Sequence, residues 1–133
     1  MKTIYIVAVV VAAALAVATA FQISSKPAGA YFIVDVHGER FTIHILDPEA
    51  IRLAEENLRG GNNLFPIGEL ARGDGGFNKP WSWHLKPETV RMVGASIELC
   101  DGLPSYVEDN LDDWLETVKV YCPWGGRVVA RLS

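Results

Sequence analysis

Tyr31-Phe32-Ile33-Val34-Asp35-Val36-His37-Gly38-Glu39-Arg40-Phe41-Thr42-Ile43-His44-Ile45-Leu46 is the stretch whose reading decides the fold. Tyr31 to Val36 is β-branched and aromatic, which suits a pleated strand. His37-Gly38-Glu39-Arg40 is a turn signal. Phe41, Ile43 and Ile45 then alternate with Thr42, His44 and Leu46, the period of a strand with one buried face. Two such runs around a tight turn predict a β-hairpin.

Outward from the hairpin, Asp47-Pro48-Glu49 reads as a helix start. Asp47 can accept free N–H groups, Pro48 suits the first helical position and Glu49 suits the positive end of the dipole. Ile51, Ala54 and Leu58 form an apolar stripe, Arg52/Glu56 and Glu55/Arg59 stand one turn apart on the wet side, and Gly60-Gly61 stops the helix. Pro66–Ala71, Trp81–Leu85, Thr89–Val93, Ser96–Cys100 and Arg127–Leu132 read as strands, the middle ones separated by the glycine-rich segment Arg72–Asn78. Pro104 to about Lys119 is the clearest helix, with Val107, Leu111, Trp114, Leu115 and Val118 on one face. The expected fold class is α+β: a mostly antiparallel sheet, two helices packed on it and one disulfide.

Before the hairpin lies a different kind of sequence. Lys2 is the only charge ahead of Lys26, Ile4 to Val17 is unbroken apolar, and Ala18-Thr19-Ala20 places small residues where a signal peptidase cleaves. Residues 1–20 therefore read as a signal peptide, 21–29 as a loosely ordered lead-in and 30–133 as a single globular domain. The expected location is secreted, with no stable membrane association after cleavage. The alternative is an uncleaved N-terminal anchor, because the apolar run approaches the roughly 20 residues that span a bilayer. In an exported chain two cysteines, Cys100 and Cys122, read as one disulfide.

The formal charge of −4 comes with no basic run. Nucleic-acid recognition starts from a cationic footprint, so nucleic acid is not an expected partner. No Gly-x-Ser-x-Gly elbow, no phosphate loop and no His-Glu-x-x-His pair is present. His37, His44 and His84 are too scattered to assign to a metal, and no cofactor is expected. Arg72-Gly73-Asp74 matches an adhesive tripeptide, a match too short to carry a function.

Four groups of residues remain as candidates. Trp81 and Trp83 share one face of a strand, with Ser82 and His84 on the other. Trp124 stands in a Pro-Gly-Gly loop near the disulfide, followed by Arg127. With Asn78 these residues, Asn78, Trp81, Trp83, His84, Trp124 and Arg127, form the expected binding surface, because exposed Trp and Arg dominate recognition. The ligand class is a protein or a carbohydrate. Glu108, Asp109, Asp112, Asp113 and Glu116 line the outer face of the second helix. They read as a solvated surface, with a docking face for a basic partner or a weak calcium site as the functional alternatives. Finally, His84 next to Glu98 or Asp101 would supply the oriented base of a small enzyme. The leading expectation is a secreted, disulfide-stabilised binding module. The alternative is an enzyme using His84 as acid/base with Glu98 or Asp101.

Taken together, Gly73-Asp74-Gly75-Gly76-Phe77-Asn78, Trp81-Ser82-Trp83-His84, Glu98-Leu99-Cys100-Asp101-Gly102-Leu103-Pro104, Tyr106-Val107-Glu108, Trp114 and Cys122-Pro123-Trp124-Gly125-Gly126-Arg127-Val128 resemble a family of small exported domains. That family is related to the N-terminal domain of a calmodulin-binding protein. The resemblance covers roughly residues 30–132 and carries no catalytic residues over to this chain.

Overall fold

The structure, a computed structural model, describes residues 28–133. The leader and most of the lead-in lie outside the described residues. The chain runs β1 (Ala30–Val36), β2 (Glu39–Ile45), α1 (Pro48–Leu58), β3 (Phe65–Arg72), β4 (Trp83–Leu85), β5 (Arg91–Val93), α2 (Pro104–Asp109), α3 (Leu111–Asp113), β6 (Val120–Tyr121) and β7 (Gly126–Arg131). Every ladder is antiparallel, and the fold is α+β as expected. The strands divide between two sheets. One has the order β2-β1-β7; in the other, β3 pairs with β4, β5 and β6 along its length.

The hairpin is tighter than its turn signal suggests. Val36 pairs with Glu39, leaving only His37 and Gly38 in the turn, with φ of 52° and 93°. Two consecutive positive φ values make the turn whose twist matches the strands it joins, and a glycine takes the second without cost. Asp35 fastens it by accepting Gly38 N–H at 3.1 Å and Arg40 Nε–H at 3.2 Å. The Gly38 N–H, and then Arg40, hold the Asp35 carboxyl below the usual carboxylate range.

Alternation places Phe32, Val34, Val36, Phe41, Ile43 and Ile45 in the core. They meet Trp83, Leu85, Val90, Val107, Trp114 and Tyr121 from the rest of the chain. Phe41, Trp83 and Tyr121 form the aromatic centre, with ring centroids 5.3 to 5.5 Å apart, and Trp114 stands edge-on to Tyr121 at 5.9 Å. Such offset and edge-to-face pairs add to the area they bury. Helix α1 begins as its sequence dictates, with Asp47 Oδ2 accepting Ala50 N–H at 2.9 Å, and buries Ala50 and Ala54.

Four elements depart from expectation. The Trp81–Leu85 strand shortens to Trp83–Leu85. Trp81 N–H closes a turn onto Asn78 C=O, and Ser82 N–H goes to the Glu108 carboxylate instead of a ladder partner. The Thr89–Val93 strand starts late because Pro87–Thr89 forms a short 3₁₀ turn, with Thr89 Oγ1–H bonding back to Lys86 C=O. Ser96–Cys100 is no strand. Glu98–Cys100 is a 3₁₀ turn, and the backbone Cys122 N–H donates to Cys100 C=O across the disulfide. The long helix breaks at Asn110 (φ −126°, ψ 36°), whose side-chain amide bonds to Tyr106 C=O one turn back. Asparagine competes for the backbone in this way and favours helix ends. Beyond α3 the chain widens into a π turn, Trp114–Val118, closed by Lys119 N–H on Trp114 C=O; Trp114 is buried in the core, and Lys119 ends the turn at φ 69°. The two-residue β6 that follows has no signature in the sequence.

The expected disulfide joins Cys100 to Cys122, 22 residues apart, with Cα atoms 5.1 Å from each other. A loop of that length contributes about 3 kcal/mol in the chain-entropy view.

The two sheets are joined by side-chain amides and an indole. Asn78, fully buried, accepts Thr42 N–H at 2.8 Å on the open edge of β2 and donates to Trp83 C=O at 2.7 Å on β4. Trp81 Nε1–H donates to Arg40 C=O at 2.8 Å on the same edge. At the opposite edge, Asn57 accepts Val128 N–H of β7 at 2.8 Å. Removing the Asn78 amide strands two buried backbone groups, each costing about 1 to 3 kcal/mol on general grounds. Asn78→Ala is therefore expected to lower the unfolding free energy by about 3 kcal/mol, read by chemical denaturation; a loss below about 0.5 kcal/mol would show the bridge to be dispensable.

Candidate functional site

The loop Cys122–Gly126 is held at three places. The disulfide and the Cys122–Cys100 backbone bond at 2.7 Å fix its start, and Gly126 N–H closes a turn onto Pro123 C=O at 2.9 Å. Between them Trp124 N–H donates to Asp101 Oδ1 at 2.9 Å, and Gly102 N–H donates to the same oxygen at 2.9 Å. The Tyr121 hydroxyl in turn donates to Gly102 C=O at 2.7 Å. His37, at the tip of the β1–β2 hairpin, occupies the space a side chain at Gly125 would need. The backbone is thereby fixed while the Trp124 indole stays 41% exposed.

Two grooves open on either side of that indole. One, of about 220 Å³, is apolar and lined by Phe65, Gly94, Ala95 and Ser96. The other, of about 340 Å³, is polar and runs past Gly60, Asn62, Asn63 and Leu64 to Arg127. Asn57 and Asn62 in its floor are committed to the fold. Asn57 Nδ2–H reaches Asn62 Oδ1 and Leu64 C=O at 2.9 Å, and Asn62 Nδ2–H reaches Leu53 C=O at 3.1 Å. Asn63 and Arg127 make no side-chain hydrogen bond or ion pair among the described residues, so both face the groove with their polar groups unspent.

The other candidates sit elsewhere. Trp83 and Asn78 are fully buried and offer no open surface, and Trp81 is half-buried with its indole N–H spent on Arg40 C=O. His84 stands on the far side of β4. Its Nδ1 bonds to Gly73 C=O at 2.8 Å, which as acceptor fixes the proton on that nitrogen. Phe77 stands edge-on to the ring at 5.5 Å, and a side chain at Gly75 would collide with it, so the glycines of this loop let the backbone close over His84. Among the described residues no hydrogen bond or ion pair joins His84 to Glu98 or Asp101. Asp101 instead holds the Trp124 loop, and Glu98 is exposed on its 3₁₀ turn. No group of three or more His, Cys, Asp or Glu side chains among the described residues is placed to hold a metal ion. Nor is any described helix long and apolar enough to cross a membrane.

The Trp124–Arg127 pair was legible from composition and loop chemistry. Asn63, which completes the polar groove, was not, because Gly60-Gly61 read as the end of α1 and Asn62-Asn63 as the lead into the strand from Pro66. Among the described residues two buried side-chain polar atoms have no partner, Trp83 Nε1 and His44 Nε2. The first lies in the aromatic centre; the second lies in a ring stacked on Tyr31 at 4.0 Å.

What these elements define is a small α+β domain, stapled by one disulfide, that presents a rigid loop and shallow grooves: a binding or interaction domain. Residues 28–133 match the family model described as the BP-74 N-terminal domain, and the chain belongs to that family. Comparison with curated proteins and with solved structures gives no match.

Tyr121 gives the site a measurable signature. Its phenol is buried, which pushes its pKa well above the ordinary value, and the Asp101 and Glu39 carboxylates push it further. A phenol that stays protonated when folded but ionises near pH 10 when unfolded leaves stability intact below about pH 10 and erodes it as pH rises beyond. In an alkaline absorbance titration, Tyr121 should ionise only together with unfolding. Ionisation of Tyr121 near pH 10 in the folded chain would contradict the anchoring of Gly102.

Proposed function

We propose that this chain is a secreted binding module that takes a carbohydrate against Trp124. The observation that carries the reading is the indole itself: a half-exposed aromatic face on an immobilised loop, beside a polar groove in which Asn63 and Arg127 are free to bond. A sugar ring presents an apolar C–H face to such an indole and hydroxyl edges to an amide and a guanidinium, and an indole carried on a fixed backbone loses little entropy when it binds. Export is supported by the leader pattern, Lys2, the apolar run Ile4–Val17 and Ala18-Thr19-Ala20, which lies outside the described residues. A disulfide in a chain of this size fits an oxidising compartment. The enzyme alternative has less support, since His84 bonds to Gly73 C=O and packs against Phe77, and no hydrogen bond or ion pair among the described residues joins it to Glu98 or Asp101.

The test is a panel of immobilised oligosaccharides probed with the chain produced under oxidising conditions. Wild type should retain a distinct subset. Trp124→Ala and Arg127→Ala should each bind that subset at least tenfold more weakly, about 1.4 kcal/mol, in chains shown by circular dichroism to remain folded under the conditions of the assay. The exported protein should begin at Phe21. Retention by the two variants equal to wild type, or no retention by any form, would refute the reading.

A further inference from the structure

Between Met92 and Val118 the chain carries seven carboxylates and neither lysine nor arginine. Three of the carboxylates are engaged within the fold: Asp101 on the Trp124 loop, Glu108 on Ser82 N–H and Asp112 on Arg72 at 2.6 Å. Glu98, Asp109, Asp113 and Glu116 make no side-chain hydrogen bond or ion pair among the described residues. The same stretch exposes its large apolar side chains: Ile97 by 66%, Leu99 by 62%, Leu103 by 36% and Tyr106 by 55%. Single exposed apolar residues need no explanation, but four within ten residues of chain are a concentration that does.

That stretch is rigid. Cys100 is tied to Cys122 beneath Ile97 and Leu99, and Gly102 is held by Tyr121. The first turn of α2 is fastened by Glu39, which accepts Ser105 N–H and Ser105 Oγ–H at 2.8 Å each. The Tyr106 ring leans edge-on against Trp114 at 6.1 Å. Glu98 shares the 3₁₀ turn with Leu99, and Asp109 lies one helical turn from Tyr106, so carboxylates border the apolar residues.

We propose that Ile97, Leu99, Leu103 and Tyr106 form a docking surface for a partner protein's cationic amphipathic segment, one that sets an apolar anchor on this patch and lysine or arginine on its acidic border. This is a second surface and does not depend on the Trp124 grooves. Charge selects the occupant. An anionic membrane or a nucleic acid is repelled by unpaired carboxylates. A second copy meeting this face about a two-fold axis would bring the same carboxylates together. A cationic segment gains steering and register from them, while burial of the apolar anchor holds it.

The experiment is calorimetric titration of the full chain, disulfide formed, with a short amphipathic helical peptide of leucine and lysine and with its leucine/glutamate counterpart. The lysine peptide should bind and weaken at least about tenfold as salt is raised to about 0.3 M, and the glutamate peptide should not bind. Leu99→Ser with Tyr106→Ser should lower affinity at least about tenfold, as should Asp109→Lys with Asp113→Lys, in chains whose thermal transitions are unchanged. Equal binding of both peptides, or of wild type and the serine variant, would overturn the proposal; the latter would reduce the interaction to bulk charge attraction. Trp124→Ala should leave the affinity intact. Loss there with the serine variant unaffected would move the peptide into the Trp124 grooves and overturn the assignment, whatever the outcome of the oligosaccharide panel.

Discussion

The Asn78 side chain is the point at which the two sheets become one domain. A three-stranded sheet ends in two open edges, and an open edge offers unpaired N–H and C=O groups either to water or to another chain. Here the β2 edge is closed from within. Asn78 supplies an oxygen to Thr42 N–H and a nitrogen to Trp83 C=O, acting as a piece of backbone where no strand runs. Trp81 covers Arg40 C=O on the same edge with its indole N–H. At the far edge Asn57 does the same for Val128 N–H, and its own amide is held by Asn62 and Leu64. Buried backbone groups are almost always paired, and these side chains are how that requirement is met where the ladders stop.

From that closure the aromatic centre follows. With β4 pinned to the edge of β2, Trp83 lies against Phe41 and Tyr121, and Tyr121 reaches Gly102 with its hydroxyl. Gly102 and Trp124 share the Asp101 carboxylate, so the core is connected to the exposed loop through three hydrogen bonds and a disulfide. The exposed indole is therefore carried on a fixed support, which is the condition for a binding residue that does not lose its affinity to disorder. The indole N–H of Trp83, buried without a partner among the described residues, is the cost of filling the centre with a ring of that size.

The parts of the fold that alternation and capping control were legible in the sequence. The β1–β2 hairpin, the start of α1 at Asp47-Pro48, its stop at Gly60-Gly61, β7 and the disulfide all stand where local chemistry puts them. Three of the four departures come from side chains that take backbone groups, from across the molecule at Trp81 and Ser82 and from within a single turn at Thr89 and Asn110. Trp81 alternates with Trp83 as a strand should, yet its indole N–H donates to Arg40 C=O, forty-one residues away, and its backbone N–H to Asn78 C=O. Ser82 N–H belongs to Glu108 and ends the strand early. Apolar spacing carried one helix from Pro104 to Lys119, but Asn110 turns its amide on Tyr106 C=O and splits it. Such partners leave no periodic mark in the sequence. For the same reason Asn78, Trp81 and Trp83 drew attention as binding residues when their polarity and size serve the junction between sheets. Trp124 and Arg127 were visible as site candidates because a loop of proline and glycine has no core to give them to.

The most direct measurement is residue-resolved amide hydrogen exchange at Thr42 and Val128. Both sit on edge strands, where an amide without a partner exchanges freely with solvent, and both are here bonded to buried asparagine oxygens. Exchange of the two as slow as that of β1 amides, and through the same global opening, is the expected result. Rapid exchange at either position, with β1 still protected, would mean that the edge is open and that the sheets are held together by something other than these amides.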